Sequence, residues 1–249
     1  MKSLSILIPI YNEEESLQAL FDELKFSFEN NQSIEIIFIN DGSSDMYQKV
    51  IENEIAHHST WKLINLYRNY GKSVALQSGI DIASNELIAT LDGDLQDDPR
   101  ELINLVRELN EDDVIVGWKK DRLDPLEKKI ASKIFNFFIK LFSGLKIKDS
   151  NSGIKVLKKE VAKSLNLYGG RHRYIPLLAH QKGFNVKEIP VNHRERKFGK
   201  SKYGAERYKH GFFDFMTILF LGKYMDRPLH FFGMVGFLSI LFGLIAEIY

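Results

Sequence analysis

The sequence predicts an α/β fold, a mostly parallel sheet flanked by helices on both faces, and two observations carry that expectation. Short apolar runs alternate with amphipathic stretches through the first half of the chain. Polar clusters recur directly after three of those runs, as they do where parallel strands end at a common edge. With 249 residues, 44% of them hydrophobic and 27% charged, the chain can bury a full core and is neither disordered nor collagen-like. It has no cysteine, which excludes disulfides, thiolate metal sites and a cysteine nucleophile.

The elements follow in order. Residues 4–10 (LSILIPI) read as a first strand, and the polar–apolar stretch 14–28 as a helix. Residues 34–40 (IEIIFIN) give the second strand, followed by a helix near 47–56. A third strand is expected at 62–67, a helix near 73–83, a fourth strand at 87–91, a helix after Pro99 and a fifth strand at 114–117. Five strands separated by helices call for parallel pairing with both faces covered.

Beyond Gly117 the rhythm breaks. Residues 126–142 (LEKKIASKIFNFFIKLF) put Leu126, Ile130, Ile134, Phe137, Phe138 and Leu141 on one helical face among lysines. That face suits a helix lying in a membrane surface, and equally an amphipathic helix covering the core. Residues 211–222 (GFFDFMTILFLG) are apolar but too short to span, of interfacial or buried length. Residues 229–249 carry one charge, Glu247, and as a helix reach about 31 Å, roughly the hydrocarbon thickness. They read as a transmembrane segment, with Lys209, Lys223 and Arg227 before it in agreement with a cytoplasmic face. The opening MKSLSILIPIYNEEE lacks a cleavable signal pattern, so the large domain is expected on the cytoplasmic side of the membrane.

Charge is unevenly spread. Residues 1–126 hold 11 Lys and Arg against 24 Asp and Glu, and residues 127–249 hold 23 against 9. An acidic half that binds a cation and a basic half that meets anions suit chemistry on phosphates at a charged surface; two faces that attract each other give the same count.

Three polar clusters mark the candidate site: Tyr11, Asn12 and Glu13 after the first strand, residues 41–45 (DGSSD) after the second, and Asp92, Gly93 and Asp94 after the fourth. Asp92 and Asp94, alternate residues of an extended segment, can offer oxygens to one cation, and Mg²⁺ is typically held by one or two carboxylates plus substrate phosphates. Asp97 and Asp98, just before Pro99, read as helix-capping residues. The turn after the first strand has no glycine, which argues against a dinucleotide fingerprint or a P-loop. Tyr11 can stack on a base while Glu13 or Asp41 accepts hydrogen bonds from base or ribose; local turn chemistry is the other use for each.

Together, residues 8–14 (IPIYNEE), 40–45 (NDGSSD) and 92–97 (DGDLQD) resemble family 2 glycosyltransferases of GT-A fold, most closely the polyprenyl-phosphate sugar transferases. The resemblance covers about residues 3–228. It implies an inverting, metal-dependent hexosyltransferase with a nucleotide-sugar donor (UDP foremost), a polyprenyl-phosphate acceptor of undecaprenyl or dolichyl type, and Mg²⁺ or Mn²⁺ as cofactor. By the same resemblance Pro9, Tyr11, Glu13, Asp41 and Asp92 match nucleotide-binding positions, Asp92 and Asp94 the metal site, and Gln96 the vicinity of the donor sugar and diphosphate. Asp149 matches a carboxylate on the acceptor side, catalytic with Asp94, although a turn residue would look alike. Residues 194–204, after a last strand at 185–192, match a basic loop in which Arg194, Lys197, Lys200, Ser201 and Lys202 would hold the acceptor phosphate. A nucleic-acid-binding loop has similar composition, but the membrane segments favour lipid phosphate and no nucleic acid.

The implied layout is a glycosyltransferase domain over 1–204, an interfacial helix over 205–228 and the membrane segment 229–249, with a homo-oligomer left open. Two departures stand out. Gly117 is followed by Trp118, Lys119 and Lys120, where the family usually has small residues and arginines, and the sequence holds one C-terminal span where many members have two. A sugar-phosphate nucleotidyltransferase and a non-catalytic nucleotide-sugar-binding membrane protein are the competing readings.

Overall fold

The computed structural model describes residues 2–28, 31–43, 47–120, 136–137, 139–141, 143–195, 206–224 and 227–248. Seven strands form one sheet: β1 (Leu4–Ile10), β2 (Ile34–Asn40), β3 (Trp61–Asn65), β4 (Leu87–Thr90), β5 (Val114–Lys119), β6 (Lys155–Lys158) and β7 (Val186–Val191). Their order across the sheet is β3-β2-β1-β4-β6-β5-β7. Parallel pairing joins β1 to β2 and β4, β2 to β3, and β5 to β7. β6 runs antiparallel to both β4 and β5 and separates them.

Helices cover both faces because successive side chains of a strand point to opposite sides. Leu4, Ile6, Ile8 and Ile10 of β1 face one core with Leu17, Leu20, Phe21 and Leu24 of α1 (Glu14–Phe28) and Leu102, Leu105 and Val106 of α4 (Glu101–Glu108). Leu7 faces the opposite core, with Ala75, Leu76 and Ile80 of α3 (Lys72–Ile82). α2 (Tyr47–Ile55) sends Ile51 into the first core; α5 (Lys159–Ser164) and α6 (Ile175–Gln181) line the second.

Two sequence expectations change here. β6, Lys-Val-Leu-Lys, was not anticipated; it is only four residues long and charged at both ends, so it lacks the apolar run that marks its neighbours. β5 extends beyond Gly117 and carries the Lys119 ammonium into the interior, where the residue is 9% exposed.

Of the amphipathic stretch 126–142, most lies outside the described residues; within it Ile139 is buried and Phe137 and Leu141 are exposed. α7 (Glu206–Tyr224) buries Phe215 and Ile218 against the second core, with the rings of Phe215 and Tyr174 stacked at 6.3 Å, and exposes Phe213 and Met216. α8 (Pro228–Ile248) is apolar all round: an 18-residue window within Pro228–Glu247 has a mean hydropathy of 2.1 and none of it is buried. By length and composition it is long enough to cross a membrane.

Candidate functional site

Register sets the floor of the site. Ile10, Asn40 and Asn65 pair across β1, β2 and β3, so these strands end level. β4 ends lower, since Thr90 pairs with Leu7, and the segment 91–98 then climbs along the strand ends. The three polar clusters therefore share one edge of the sheet, the carboxyl edge where open α/β sheets bind ligands.

Hydrogen bonds lock the three loops together. Asn40 donates from Nδ2 to Asn65 Oδ1 at 2.9 Å and accepts from the Ser43 N–H at 2.9 Å, while Ser43 Oγ accepts from the Asn12 N–H at 3.0 Å. Ser16 Oγ, at the start of α1, lies 3.0 Å from both the Glu13 and Gly93 carbonyls and ties the first cluster to the third. Gly42 is required by its setting: its φ is +67°, and a Cβ there would stand 2.2 Å from the Arg68 carbonyl carbon.

Asp41 is buried, and its two oxygens accept the N–H groups of Tyr70 and Gly71 at 2.8 and 2.9 Å. Burial pushes its carboxyl above the ordinary range, against those two bonds. Its first structural role is thus to shape the loop entering α3. Tyr11 is 37% exposed beside it, with Pro9 and Glu13 half-buried at the same strand end.

Asp92 and Asp94 are half-buried at the rim, and Asp94 Oδ1 accepts the Gln96 N–H at 3.2 Å. Asp92 pairs with the Lys72 ammonium at the first turn of α3. Burial opposes its ionisation, but Lys72, with Lys119 and Lys155 further off, holds the carboxyl well below the usual range. Among the described residues no three acidic or histidine side chains are grouped to hold a metal. Two rim carboxylates nevertheless fit a hard divalent cation whose remaining ligands are substrate phosphates and water.

Behind Asp92 lies a buried cluster of charges that only the tertiary structure reveals. Asp97 is 2% exposed; its Oδ1 stands 2.8 Å from Lys119 Nζ and 3.8 Å from His193 Nδ1. The expected capping role for Asp97 is therefore corrected: α4 has no side-chain cap, and Asp97 faces inward because an isolated bridge to His193 turns this segment against the chain after β7. Burial works against the Asp97 charge; Lys119 and His193 outweigh it and hold the carboxyl below its normal range. Lys119 in turn is held above the ordinary lysine value by Asp97, Asp92 and Asp149, despite its burial. Lys155 of β6 donates to the Ser152 carbonyl, and burial together with Lys72 pushes it down to about 8.

Gly153 makes this convergence feasible. A Cβ there would sit 2.7 Å from Asp92 Oδ2 and 2.8 Å from Asp97 Oδ2, so only glycine lets both carboxylates approach the backbone just before β6. Its carbonyl accepts the Thr90 hydroxyl at 2.7 Å. Asp149 is 1% exposed, its N–H donating to Glu188 Oε1 at 2.7 Å, and its charge acts on Lys119 and Lys155.

Arg194 sits apart from this cluster. Its guanidinium reaches both oxygens of Glu23 at 2.7 and 2.8 Å and Asp98 Oδ2 at 2.6 Å, while its N–H donates to the Gln96 carbonyl at 2.9 Å. It braces the start of the basic loop against α1 and the segment before α4. Lys197, Lys200, Ser201 and Lys202 lie outside the described residues. The sequence offered one sign of what it missed: Lys119 breaks the expected pattern after Gly117, and no periodicity could disclose its partner.

The fold is thus an α/β one whose mostly parallel sheet carries an aspartate pair at its carboxyl edge, and the comparisons supply the class. Residues 5–165 match Glycosyl transferase family 2, and the chain belongs to that family. It is 35% identical over 240 residues to the dodecaprenyl-phosphate galacturonate synthase of Rhizobium johnstonii, covering 94% of this chain and 71% of the relative. It is 34% identical over 248 residues to the undecaprenyl-phosphate 4-deoxy-4-formamido-L-arabinose transferase of Yersinia pestis, covering 98% and 74%. Among solved structures, glucosyl-3-phosphoglycerate synthase of Mycobacterium tuberculosis with Mn²⁺ and UDP-glucose superposes with a TM-score of 0.69 at 15% identity, over 88% of this chain and 78% of that one. A mannosyltransferase of Pyrobaculum calidifontis, in complex with GDP-mannose and Mn²⁺, gives 0.65 at 16% identity, over 87% and 64%. The fold is of the GT-A type.

Proposed function

We propose that this chain is an inverting glycosyltransferase that moves a hexose-type sugar from a nucleotide sugar, UDP foremost, to polyprenyl phosphate at the cytoplasmic face of a membrane. The observation that carries the reading is the Asp92/Asp94 pair on the carboxyl edge of β4 in a family 2 chain, two of whose relatives are named for polyprenyl phosphates. The exposed apolar α8 supports membrane anchoring.

In this reading the strand ends that carry Pro9, Tyr11, Glu13 and Asp41 receive the nucleotide, with the Tyr11 ring stacking on its base. Asp92 and Asp94 would hold Mg²⁺ or Mn²⁺, and Gln96 lies next to them near the sugar and diphosphate. When bound, such an ion supplies electrostatic stabilisation of the leaving diphosphate. A phosphate monoester, with a second pKa of about 6, is already largely dianionic at neutral pH and needs little help from a base. Asp149 therefore acts chiefly to orient the acceptor, from a buried position within electrostatic reach of Lys119 and Lys155. Arg194 anchors the described start of the basic loop, and Lys197, Lys200, Ser201 and Lys202 would supply the groups that bind the acceptor phosphate.

The test is Asp94→Ala. Transfer of labelled sugar to polyprenyl phosphate is expected to fall by at least about a hundredfold, the loss typical of removing one strong transition-state electrostatic contact. The unfolding temperature should stay near that of the wild type. Activity within threefold of wild type would remove Asp94 from the site.

A further inference from the structure

Lys72 occupies an unusual position for a cation. It is the first residue of α3, a helix with no acidic residue in its first turn and no side-chain cap, where the helix dipole disfavours positive charge. A second ammonium, that of Lys155, is close enough to be pushed down in pKa by it. Against both repulsions the Lys72 ammonium pairs with Asp92, one of the two carboxylates that fit a divalent cation. The Lys72 and Asp92 side chains are 24% and 31% exposed, so the pair sits at the rim, where one partner can exchange for an ion from solvent.

We infer that Lys72 is a built-in counter-cation of the metal site, a positioning residue that makes divalent-ion binding depend on the nucleotide donor. The inference rests on the proposed donor site and extends it. With Asp94 the cluster holds four carboxylates (Asp92, Asp94, Asp97, Asp149) against the three ammoniums of Lys72, Lys119 and Lys155, so a dication entering alone meets a site with little net negative charge to attract it. It also finds no third acidic or histidine ligand among the described residues. A nucleoside diphosphate brings both missing components, oxygen ligands and negative charge. The ion and the diphosphate therefore enter together, and Lys72 gives up its hold on Asp92 as they do.

The experiment is a Mn²⁺ titration of the full chain in detergent after chelator treatment, with free Mn²⁺ read by electron paramagnetic resonance, alone and with UDP or GDP in separate arms. Wild type should bind Mn²⁺ at least about tenfold more tightly with one of the two nucleotides than without. Lys72→Met should raise nucleotide-free Mn²⁺ affinity by about tenfold and shrink the nucleotide effect, with Lys72→Gln moving the same way and Lys72→Arg behaving as wild type. Unfolding temperatures accompany each variant, and either neutral variant suffices to decide. Folded Lys72→Met or Lys72→Gln protein that binds Mn²⁺ as weakly as wild type without nucleotide would overturn the inference and leave the proposed function standing. Absence of Mn²⁺ binding with either nucleotide in wild type would overturn the metal site itself, and this inference with it.

Discussion

Replacing Lys119 by Met isolates the energetics of the buried charge cluster. Lys119 Nζ lies 2.8 Å from Asp97 Oδ1, and the two side chains are 10% and 1% exposed. Removing one partner of such a pair leaves an uncompensated charge in the interior, which costs about 3–5 kcal/mol. A chain of this size loses roughly 2–4 °C of melting temperature per kcal/mol, so the variant should melt roughly 6–20 °C below wild type. Unfolding in urea, followed through the buried Trp61, measures the loss directly. The pH dependence adds a second readout. In wild type the Asp97 carboxyl titrates below its ordinary value, so the stability it contributes is complete above about pH 4 and is lost as pH falls through the lower folded value. Without Lys119, only His193 is left to oppose burial and the nearby Asp92, so that carboxyl rises from its wild-type value. The variant's deficit is then greatest near neutral pH and shrinks on acidification toward about pH 3. Adding Asp97→Asn to Lys119→Met should restore a substantial part of the loss. A Lys119→Met protein within about 0.5 kcal/mol of wild type, or one whose deficit does not shrink at all between neutral pH and about pH 3, would refute the assignment of a buried ion pair.

Two further predictions concern neighbouring residues. Gly153→Ala would drive a methyl group to 2.7 Å from Asp92 Oδ2, which should cost about 1–3 kcal/mol and weaken Mn²⁺ binding in the presence of nucleotide; unchanged unfolding and unchanged titration would contradict the convergence described for β6. Lys155, pushed down to about 8, binds its proton less readily folded than unfolded, so wild-type stability should rise relative to Lys155→Met between about pH 8 and 10; parallel pH profiles for the two proteins would count against its burial.

What the sequence disclosed, and what it could not, follows from the range of the forces involved. The spans expected for the first strand, first helix and second strand coincide with β1, α1 and β2, because the two strands are dense apolar runs and the helix repeats its apolar residues at helical spacing, patterns decided locally. The shared edge of the three polar clusters was equally legible, since parallel topology places every strand end on one side. β6 escaped notice because its register is supplied by β4 and β5 rather than by its own four residues. Asp97 was misread because its position before Pro99 resembles a cap in one dimension, while its partners Lys119 and His193 come from distant parts of the chain. Arg194 was expected at the acceptor phosphate, and its carboxylate partner Glu23 stands 171 residues earlier, beyond the reach of any spacing argument.

The most direct measurement is transfer itself. The full chain, in vesicles containing polyprenyl phosphate, is incubated with a panel of labelled nucleotide sugars, with Mg²⁺, with Mn²⁺ or with excess chelator. One donor should yield a lipid-extractable sugar phosphodiester of inverted anomeric configuration, and chelator should abolish it. Label that stays on the nucleotide for every donor, or transfer that proceeds equally well under chelation, would contradict the account.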